Sequence, residues 1–311
     1  MAAPTNAILI ANMADETIAA QVSGSYLRLL ADRNALPAHP ALYYGGSIVG
    51  AGSNAIKVPL IGIDGYDAMA TGTEGDPVAN TGLTDSSVTV TVVQKTLVRE
   101  PSDIAKMIDK QGFLRPEQLA MDGVIAGANI FRYLVANVVD DFSGFVGTTT
   151  VPAAFTELLD AITALEVAKV EGPFLGMLYP QQWGDVRKDV ASVSGGAITF
   201  NAGAQALIDA MKGLGYKGSW LGVDWFTTTD TPTANGGADS AGGVFGISGV
   251  VWCDGDVSVE DPANQAVLAG KVLYERQRVV AGGTTKYASH RYLGVSKGND
   301  SAGVSIITDR G

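Results

Sequence analysis

The sequence has little of the residue types on which most metal sites and many active sites depend. Its 311 residues include one cysteine, Cys253, and two histidines, His39 and His290. One cysteine excludes an intrachain disulfide framework, and these few ligands make a zinc site of the usual Cys/His kind improbable. The string Ser192–Gly195 lacks the strand-to-helix context of a G-x-S-x-G nucleophile elbow. We therefore predict no catalytic residue, no cofactor and no metal site.

Charge is also scarce and mostly of one sign. Charged residues make up 17% of the chain, and 32 acidic against 21 basic residues give a net charge of -11. Tight sequence-independent binding to nucleic acid needs clustered Lys and Arg, so this balance argues against it. The average charged fraction is ~25%, and a lower one is compatible with a surface that is largely covered by other subunits.

Signals for export or membrane insertion are lacking as well. No basic residue precedes the short apolar stretch Ala7–Met13, the first being Arg28, so the N-terminus does not resemble a signal peptide. Arg132 interrupts the best candidate for a membrane span. We expect a soluble protein that is intracellular where it is made, with no membrane partner.

The most informative feature that is present is a long two-stranded arm. Asn54–Ile61 and Ser86–Val98 are rich in Val, Thr and Ile and are predicted to be strands. Between them, Gly62–Asp85 contains five glycines and neither Lys nor Arg. Such a segment cannot bury enough apolar surface to fold as a core, and most connections are only ~4–6 residues long. We expect this tip to be ordered by a partner.

The clearest single element is a long amphipathic helix, Arg115–Phe142. Pro116 suits a first helical turn, and the helix would be roughly 40 Å long. Apolar residues recur along its last two thirds at intervals of four and three: Val124, Ala128, Phe131, Val135, Val138 and Phe142. This stripe is predicted to pack against the core.

The rest of the chain predicts a mixed α/β region flanked by other parts. An N-terminal segment, Met1–Asn12, precedes a helix over Ala14–Ala31. In the region Val151–Pro262 we predict helices around Phe155–Leu165, from Pro180 and over Ala204–Lys212, strands at Phe174–Tyr179, Gly218–Phe226 and Val244–Cys253, and a turn at Ser240–Gly243. One strand over Gly218–Phe226 would place Trp220 and Trp225 on opposite faces. A hairpin of Ala266–Val280 and Lys286–Val295, turning at 281–283, and a strand at Gly303–Thr308 complete the chain.

The charges are distributed unevenly between the two hairpins. The tip of the first carries Asp64, Asp67, Glu74, Asp76 and Asp85, and the C-terminal hairpin carries Lys271, Arg276, Arg278, Lys286, His290 and Arg291. These are either two ordinary solvated faces or complementary surfaces of adjacent subunits. On the second interpretation, the candidate intersubunit contacts join Asp64, Asp67, Glu74 or Asp76 to Arg276, Arg278 or Arg291.

The order of these parts resembles that of the major capsid proteins of tailed bacteriophages, which have the HK97-like fold. The resemblance covers essentially the whole chain and depends on the order of its elements, because each motif alone is weak. The strings that carry it are Ser53–Glu100, Arg115–Phe142, Met177–Trp183, Gly215–Gly222 and Leu273–Arg278.

The resemblance implies an α+β fold with five parts. They are an N-terminal arm and helix (1–35), a peripheral domain (36–52 and 86–150) with a spine helix (115–142), an extension loop (53–85), an α/β axial domain (151–264), and C-terminal strands (265–311) that return to the peripheral domain.

The function implied by the resemblance is structural. Copies of the chain would assemble, as hexamers and pentamers, into an icosahedral shell around the double-stranded DNA of a tailed phage, in the host cytoplasm. Scaffolding, portal and cementing proteins are the other partners implied, and packaged DNA would be touched only weakly and non-specifically. We expect a scaffolding domain of the kind that begins many family members to be absent, already removed, or encoded separately. The lysine–asparagine cross-link of some members is not expected, because the tip has no lysine and Lys57 lies at its root.

Two alternatives stay open. An encapsulin-type compartment shell shares the fold. An α/β hydrolase, from a different class, would need a nucleophile and a base close together in a cleft.

Overall fold

A computed structural model describes residues 7–8, 36–61, 85–110, 112–193, 216–255, 260–268 and 271–310. The predicted helices Ala14–Ala31 and Ala204–Lys212 lie outside these residues, as does the loop tip between residues 62 and 84. The candidate contact residues Asp64, Asp67, Glu74 and Asp76 lie in that tip.

The first sheet is built around one long strand from the C-terminal part of the chain. Its seven strands are β1 (Ala7–Ile8), β2 (Leu42–Ser47), β5 (Val93–Pro101), β12 (Val250–Asp254), β13 (Gln265–Leu268), β14 (Val272–Val279) and β15 (Thr284–Lys297). β15 pairs antiparallel with β5, β12 and β14. The predicted turn of the C-terminal hairpin is confirmed: β14 and β15 are joined by a 3-10 turn, Val280–Gly282, followed by Gly283 at φ 58°. The predicted first strand, Ala266–Val280, is wrong, because it consists of two antiparallel strands, β13 and β14.

Two helices follow β5. Helix α1 (Asp103–Ile108) is short, and Ser102 caps it by accepting a hydrogen bond from the Ala105 N–H. Helix α2 (Pro116–Val138) has Pro116 in its first turn and continues as a 3-10 turn, Val139–Asp141. Every residue of the predicted stripe is buried: Val124, Ala128, Phe131, Val135, Val138 and Phe142. The prediction of a core-facing helix is confirmed, with its α-helical part ending at Val138.

Helix α2 is also apolar and long enough, by length and composition, to cross a membrane. Its apolar stripe is occupied by core packing, however, and a buried core helix passes the same test. The composition of the helix therefore adds no argument for a membrane.

The second sheet also has seven strands. They are β6 (Phe145–Val146), β7 (Phe174–Leu178), β8 (Tyr216–Trp220), β9 (Val223–Thr227), β10 (Thr233–Ala234), β11 (Asp239–Phe245) and β16 (Gly303–Asp309), in the order β6-β16-β11-β7-β9-β8 with β10 beside β11. Helices α3 (Phe155–Val167) and α4 (Pro180–Val193) pack against it and share its core cluster.

The two sheets do not follow the domain boundaries expected from the sequence. β12 lies within 151–264 but pairs with β15 and β2 of the first sheet. β16 lies within 265–311 but pairs with β11 of the second sheet. The chain therefore passes between the sheets more often than the predicted division implies.

The predicted single strand Gly218–Phe226 is wrong, because it is a hairpin. β8 and β9 are joined at Leu221 and Gly222, whose φ angles are 57° and 75°. Positive φ at both central residues is what a type I′ two-residue turn requires, but leucine seldom adopts it. As a result Trp220 and Trp225 are not on opposite faces of one strand. The Trp225 indole N–H donates to the Trp220 carbonyl at 3.0 Å, and both rings lie near Trp183.

The predicted turn at Ser240–Gly243 is also wrong. These residues belong to β11, whose seven residues are all buried between β7 and β16. A Cβ on Gly243 would lie 2.5 Å from both the Val304 carbonyl oxygen and a Val139 methyl carbon. The small residues are therefore here because their neighbours pack too closely for larger ones, not because the chain turns.

The spine helix generates the first prediction. Phe131 is 1% exposed, so Phe131→Ala is expected to reduce the free energy of unfolding by roughly 3–5 kcal/mol through lost burial and a new cavity. Urea unfolding measures the change. Tyr133→Ala on the same helix is the control, because Tyr133 is 45% exposed and its truncation should cost far less. Equal losses in the two variants would contradict the assignment of the buried face.

Candidate assembly surfaces

The extended hairpin forms a small sheet of its own. β3 (Ala55–Ile61) and β4 (Asp85–Thr91) pair antiparallel from Ala55 opposite Thr91 to Ile61 opposite Asp85. The predicted strand Ser86–Val98 is therefore two strands, β4 and β5, separated at Val92. The paired strands run up to the edge of the tip, so the tip is carried on a regular two-stranded stem.

The stem is fixed to the first sheet by a separate apolar cluster. Val58 and Val90 of the stem are buried, together with Val92, against Val251 and Cys253 of β12. Burial, and secondarily the charge of the adjacent Asp254, raises the pKa of the Cys253 thiol to about 11. The thiol is thus neutral at physiological pH and acts as a small apolar side chain, as the sequence predicts.

One glycine of β15 allows the stem to approach this closely. A Cβ on Gly294 would lie 2.3 Å from the Thr91 carbonyl oxygen, which is a backbone atom and cannot rotate away. The close approach places the end of β4 directly on the sheet. The direction in which the hairpin leaves the body is therefore set by backbone packing.

The basic C-terminal hairpin is less uniform than its sequence suggests. Arg276 and Arg278 are both exposed on β14, two residues apart. The Arg278 guanidinium is already paired within its own chain, because it donates to both carboxylate oxygens of Asp103, with an Nη2–Oδ2 distance of 2.6 Å. Hydrogen bonding between the two side chains lowers the pKa of Asp103 and raises that of Arg278.

Arg291 is not on the exposed face of the hairpin. It is 8% exposed, donates a hydrogen bond to the Gly127 carbonyl oxygen of α2, and lies over the Phe131 ring at 5.3 Å. Its burial removes it from the solvent-facing charge with which the sequence grouped it. Of the three arginines, Arg276 alone is exposed without an ion pair to another described residue.

An exposed apolar patch lies beside the Arg278–Asp103 pair, and sequence reasoning missed it. Its members are Ile104 (60% exposed), Met107 (82%) and Ile108 (52%) of α1 and Val280 (84%) of the hairpin turn. The Asp103 N–H donates to the Gly283 carbonyl oxygen at 2.9 Å, so α1 and the turn are adjacent. Contiguous exposed apolar surface of this kind marks interaction sites. The i, i+3, i+4 spacing of the three helical residues was the available signal.

The described residues also include one hydroxyl–imidazole–carboxylate arrangement. The Thr96 hydroxyl lies 2.8 Å from His290 Nδ1, and Glu275 lies 3.5 Å from Nε2. The Gln94 amide nitrogen lies 2.9 Å from the same Nδ1 atom. One nitrogen lone pair therefore faces two potential donors, so the imidazole is not held ready to activate the Thr96 hydroxyl alone. The arrangement is typical of polar cross-strand packing.

Comparison with solved structures gives the fold a context. The chain is similar to the capsid of Ralstonia phage GP4, with a TM-score of 0.57 and 12% identity over 83% of this chain and 84% of that one. It is also similar to the capsid of the cyanophage P-SCSP1u (TM-score 0.55, 10% identity, 87% and 86% of the two chains). The mature capsid of bacteriophage PhiM1 gives a TM-score of 0.54 at 10% identity, over 87% and 86%.

The chain has the HK97-like capsid fold. The predicted fold class, mixed α and β, is therefore confirmed. No family model and no curated protein matches the sequence. At identities this low the likeness establishes the fold only.

The root of the stem generates the second prediction. Gly294→Ala is expected to push β4 away from β15 and to lower the free energy of unfolding by about 1–3 kcal/mol, the usual cost of overpacking. Hydrogen exchange should also increase in residues 85–92. Gly184→Ala is the control, because a Cβ there meets no atom within 4 Å and alanine favours helix α4. Unchanged exchange in 85–92 would show that the stem is not held by this contact.

Proposed function

We propose that this protein is a major capsid protein, whose copies assemble into an icosahedral shell around the double-stranded DNA genome of a tailed phage. The observation that carries the proposal is the similarity to phage capsids over 83–87% of this chain and a comparable share of each solved chain. A match of this extent involves most of the chain rather than one common motif. The protein would reside in the virion, after assembly in the host cytoplasm.

The surfaces of the chain support an assembly role. The two-stranded stem has a well-packed root on the first sheet, and the patch of Ile104, Met107, Ile108 and Val280 leaves apolar area without cover. A shell of identical copies needs self-complementary surfaces repeated by symmetry. Many modest contacts per subunit, each repeated, provide avidity without one very tight interface.

The net charge fits a container for DNA. The chain has a net charge of -11. A shell of such chains would not bind the DNA phosphates tightly, because both carry negative charge, and the genome could therefore be packed and released. The partners we propose are other copies in hexamers and pentamers, with scaffolding, portal and cementing proteins. The role is structural and non-enzymatic. The capsids among the similar structures favour a phage shell over an encapsulin-type compartment.

The division into parts belongs to the same proposal. The first sheet with α2 would form the peripheral domain and its spine, the β3–β4 stem with its tip the extension loop, and the second sheet with α3 and α4 the axial domain. Residues 1–35 would be the arm. β12 pairs with β15 of the first sheet, and β16 pairs with β11 of the second. The C-terminal part of the chain would therefore contribute strands to both domains.

Electron microscopy tests the function directly. Purified protein is expected to yield uniform icosahedral particles in negative stain. Met107→Glu, which places a charge in the exposed patch, is expected to reduce particle yield at an unchanged melting temperature. Val167→Glu is the matched control, because Val167 is 77% exposed but belongs to the end of α3 and not to α1 or the hairpin turn. Discrete monomers at all concentrations, with or without co-expressed partner proteins, would contradict the proposal.

The charge pairing between subunits has a separate test. We propose that Asp64 or Asp67 of the tip faces Arg276 of an adjacent copy, since Arg278 already has Asp103 as a partner. Exposed pairs contribute ~0–1 kcal/mol each, but the contact would recur throughout the shell. Asp64→Lys with Asp67→Lys is expected to impair assembly at low salt, and adding Arg276→Asp should partly restore it.

A matched control reverses two exposed acids elsewhere. Asp160→Lys with Glu166→Lys changes the net charge equally on helix α3 and should not be rescued by Arg276→Asp. Assembly of the tip variant at the wild-type level in low salt would count against the pairing. So would a triple variant that assembles no better than the tip variant.

A further inference from the structure

A cavity lies between helix α2 and the first sheet. Its volume is about 280 Å³, and its roof is the helix segment that contains Gly123, Ala126 and Gly127. A Cβ on Gly123 would lie 1.9 Å from the Ser289 hydroxyl oxygen, and one on Gly127 would lie 2.8 Å from a Val272 methyl carbon. The two glycines thus bring the helix backbone close to the sheet around the cavity.

Two cationic residues line this cavity from adjacent strands. Lys95 of β5 and Arg291 of β15 are directly opposite each other in the antiparallel register. Opposite residues share a face of the sheet, with Cβ atoms roughly 4.5–5.5 Å apart, and like charges in such positions destabilise it. The rest of the lining includes no Asp or Glu. The lining therefore carries two cations and no carboxylate, although Glu275 lies 3.5 Å from the lining residue His290.

The partners of Arg291 leave most of its hydrogen-bonding capacity unused. Among the described residues its guanidinium donates only to the Gly127 carbonyl oxygen, although a guanidinium has several further N–H groups. Burial lowers the pKa of Arg291 to about 10, opposed only by the attraction of Asp254. Asp254 is itself paired with Lys271 at 2.6 Å. A buried cation of this kind is stabilised by an anion brought close to it.

The chemistry of the lining indicates which anion fits. A planar carboxylate matches the fork of a guanidinium and accepts from an ammonium at the same time. Ala126, Ile130 and Val272 also line the space and offer apolar contact to a short alkyl chain. We propose that this cavity binds a single carboxylate group on a short aliphatic chain, held between Lys95 and Arg291. The ligand is either a free small carboxylate or the acidic side chain of an adjoining copy.

Acetate is the probe for this site. Thermal unfolding of the unassembled full-length chain is measured in sodium acetate and in sodium chloride at equal ionic strength. Acetate at ten times its dissociation constant is expected to raise the folding equilibrium constant roughly tenfold over chloride. Calorimetric titration with acetate gives the stoichiometry, expected to be one per chain.

Two variants and a control locate the binding. Lys95→Gln removes one cation from a half-buried strand position, and Ala126→Leu fills the cavity while leaving both cations in place. Each should abolish the difference between acetate and chloride. Lys57→Gln is the control, because Lys57 is an exposed strand lysine outside the cavity, and it should respond as the wild type does. An equal response to acetate and chloride in the wild type, or a wild-type response in Lys95→Gln, would overturn the proposal.

The same measurement on assembled particles distinguishes the two sources of the carboxylate, and this part alone depends on the proposed capsid function. If acetate still stabilises the particles, the site takes a free carboxylate. If the response is present in the unassembled chain and lost in particles, a neighbouring copy fills the cavity on assembly. Failure to form particles leaves the result for the unassembled chain intact.

Discussion

The buried stripe of helix α2 is the contact on which the rest of the structure depends. Phe131 and Val135 belong to one apolar cluster with Val250 and Leu293 of the first sheet and with Leu175, Met177 and Phe245 of the second. The helix packs on the first sheet and its 3-10 continuation packs on the second. Together they determine the relative position of the two sheets, because close-packed interiors transmit displacement rather than absorb it. The position of the extended hairpin's stem depends on the same packing, because the stem packs on β12 and β15 of the first sheet.

The chain connections between the two sheets also limit how far the sheets can move relative to each other. β11 of the second sheet is followed directly by β12 of the first, and β15 of the first by β16 of the second. Gln182 of α4 adds a polar tie in the second sheet, because its amide donates to the carbonyl oxygens of Ser240 and Ile306 on β11 and β16. A chain of this design resists bending between its two sheets, because a displacement at one close-packed contact is passed to the others.

Much of this fold could be predicted from the sequence, where local periodicity and the final environment agree. The stripe of α2 has helical spacing and is buried, and the strands of the stem are rich in β-branched residues and are paired. The failures occurred where the environment overrides local preference. Ser240–Gly243 has a turn-like composition, but its residues are small because β7, β16 and Val139 approach closely. Leu221 gives no turn signal, yet the hairpin places it at φ 57°.

The surfaces were harder to predict than the core, for a related reason. A sequence shows which residues carry charge but not which of them are already neutralised or enclosed. Arg276, Arg278 and Arg291 are the same residue type and cannot be told apart in the sequence. In the structure, Arg276 is exposed, Arg278 is paired with Asp103, and Arg291 lies beneath helix α2. The burial of Arg291 depends on Gly127, which is 164 residues away in the chain. The lack of a side chain at Gly127 allows helix α2 to pack closely over Arg291.

This difference among the arginines changes the balance of forces expected at a subunit boundary. An exposed ion pair gives little free energy and is screened by salt, whereas apolar area removed from water gives about 25 cal/mol per Å² and is not. With Arg278 paired internally and Arg291 enclosed, Arg276 is the arginine of the proposed contact that is left to provide register. The adjacent apolar patch on α1 and the hairpin turn is then the surface with more free energy to contribute. Assembly that depends on such a patch should weaken on cooling, because hydrophobic association weakens as temperature falls, and should be nearly insensitive to moderate salt. A shell held mainly by charge pairs would instead weaken as salt is added.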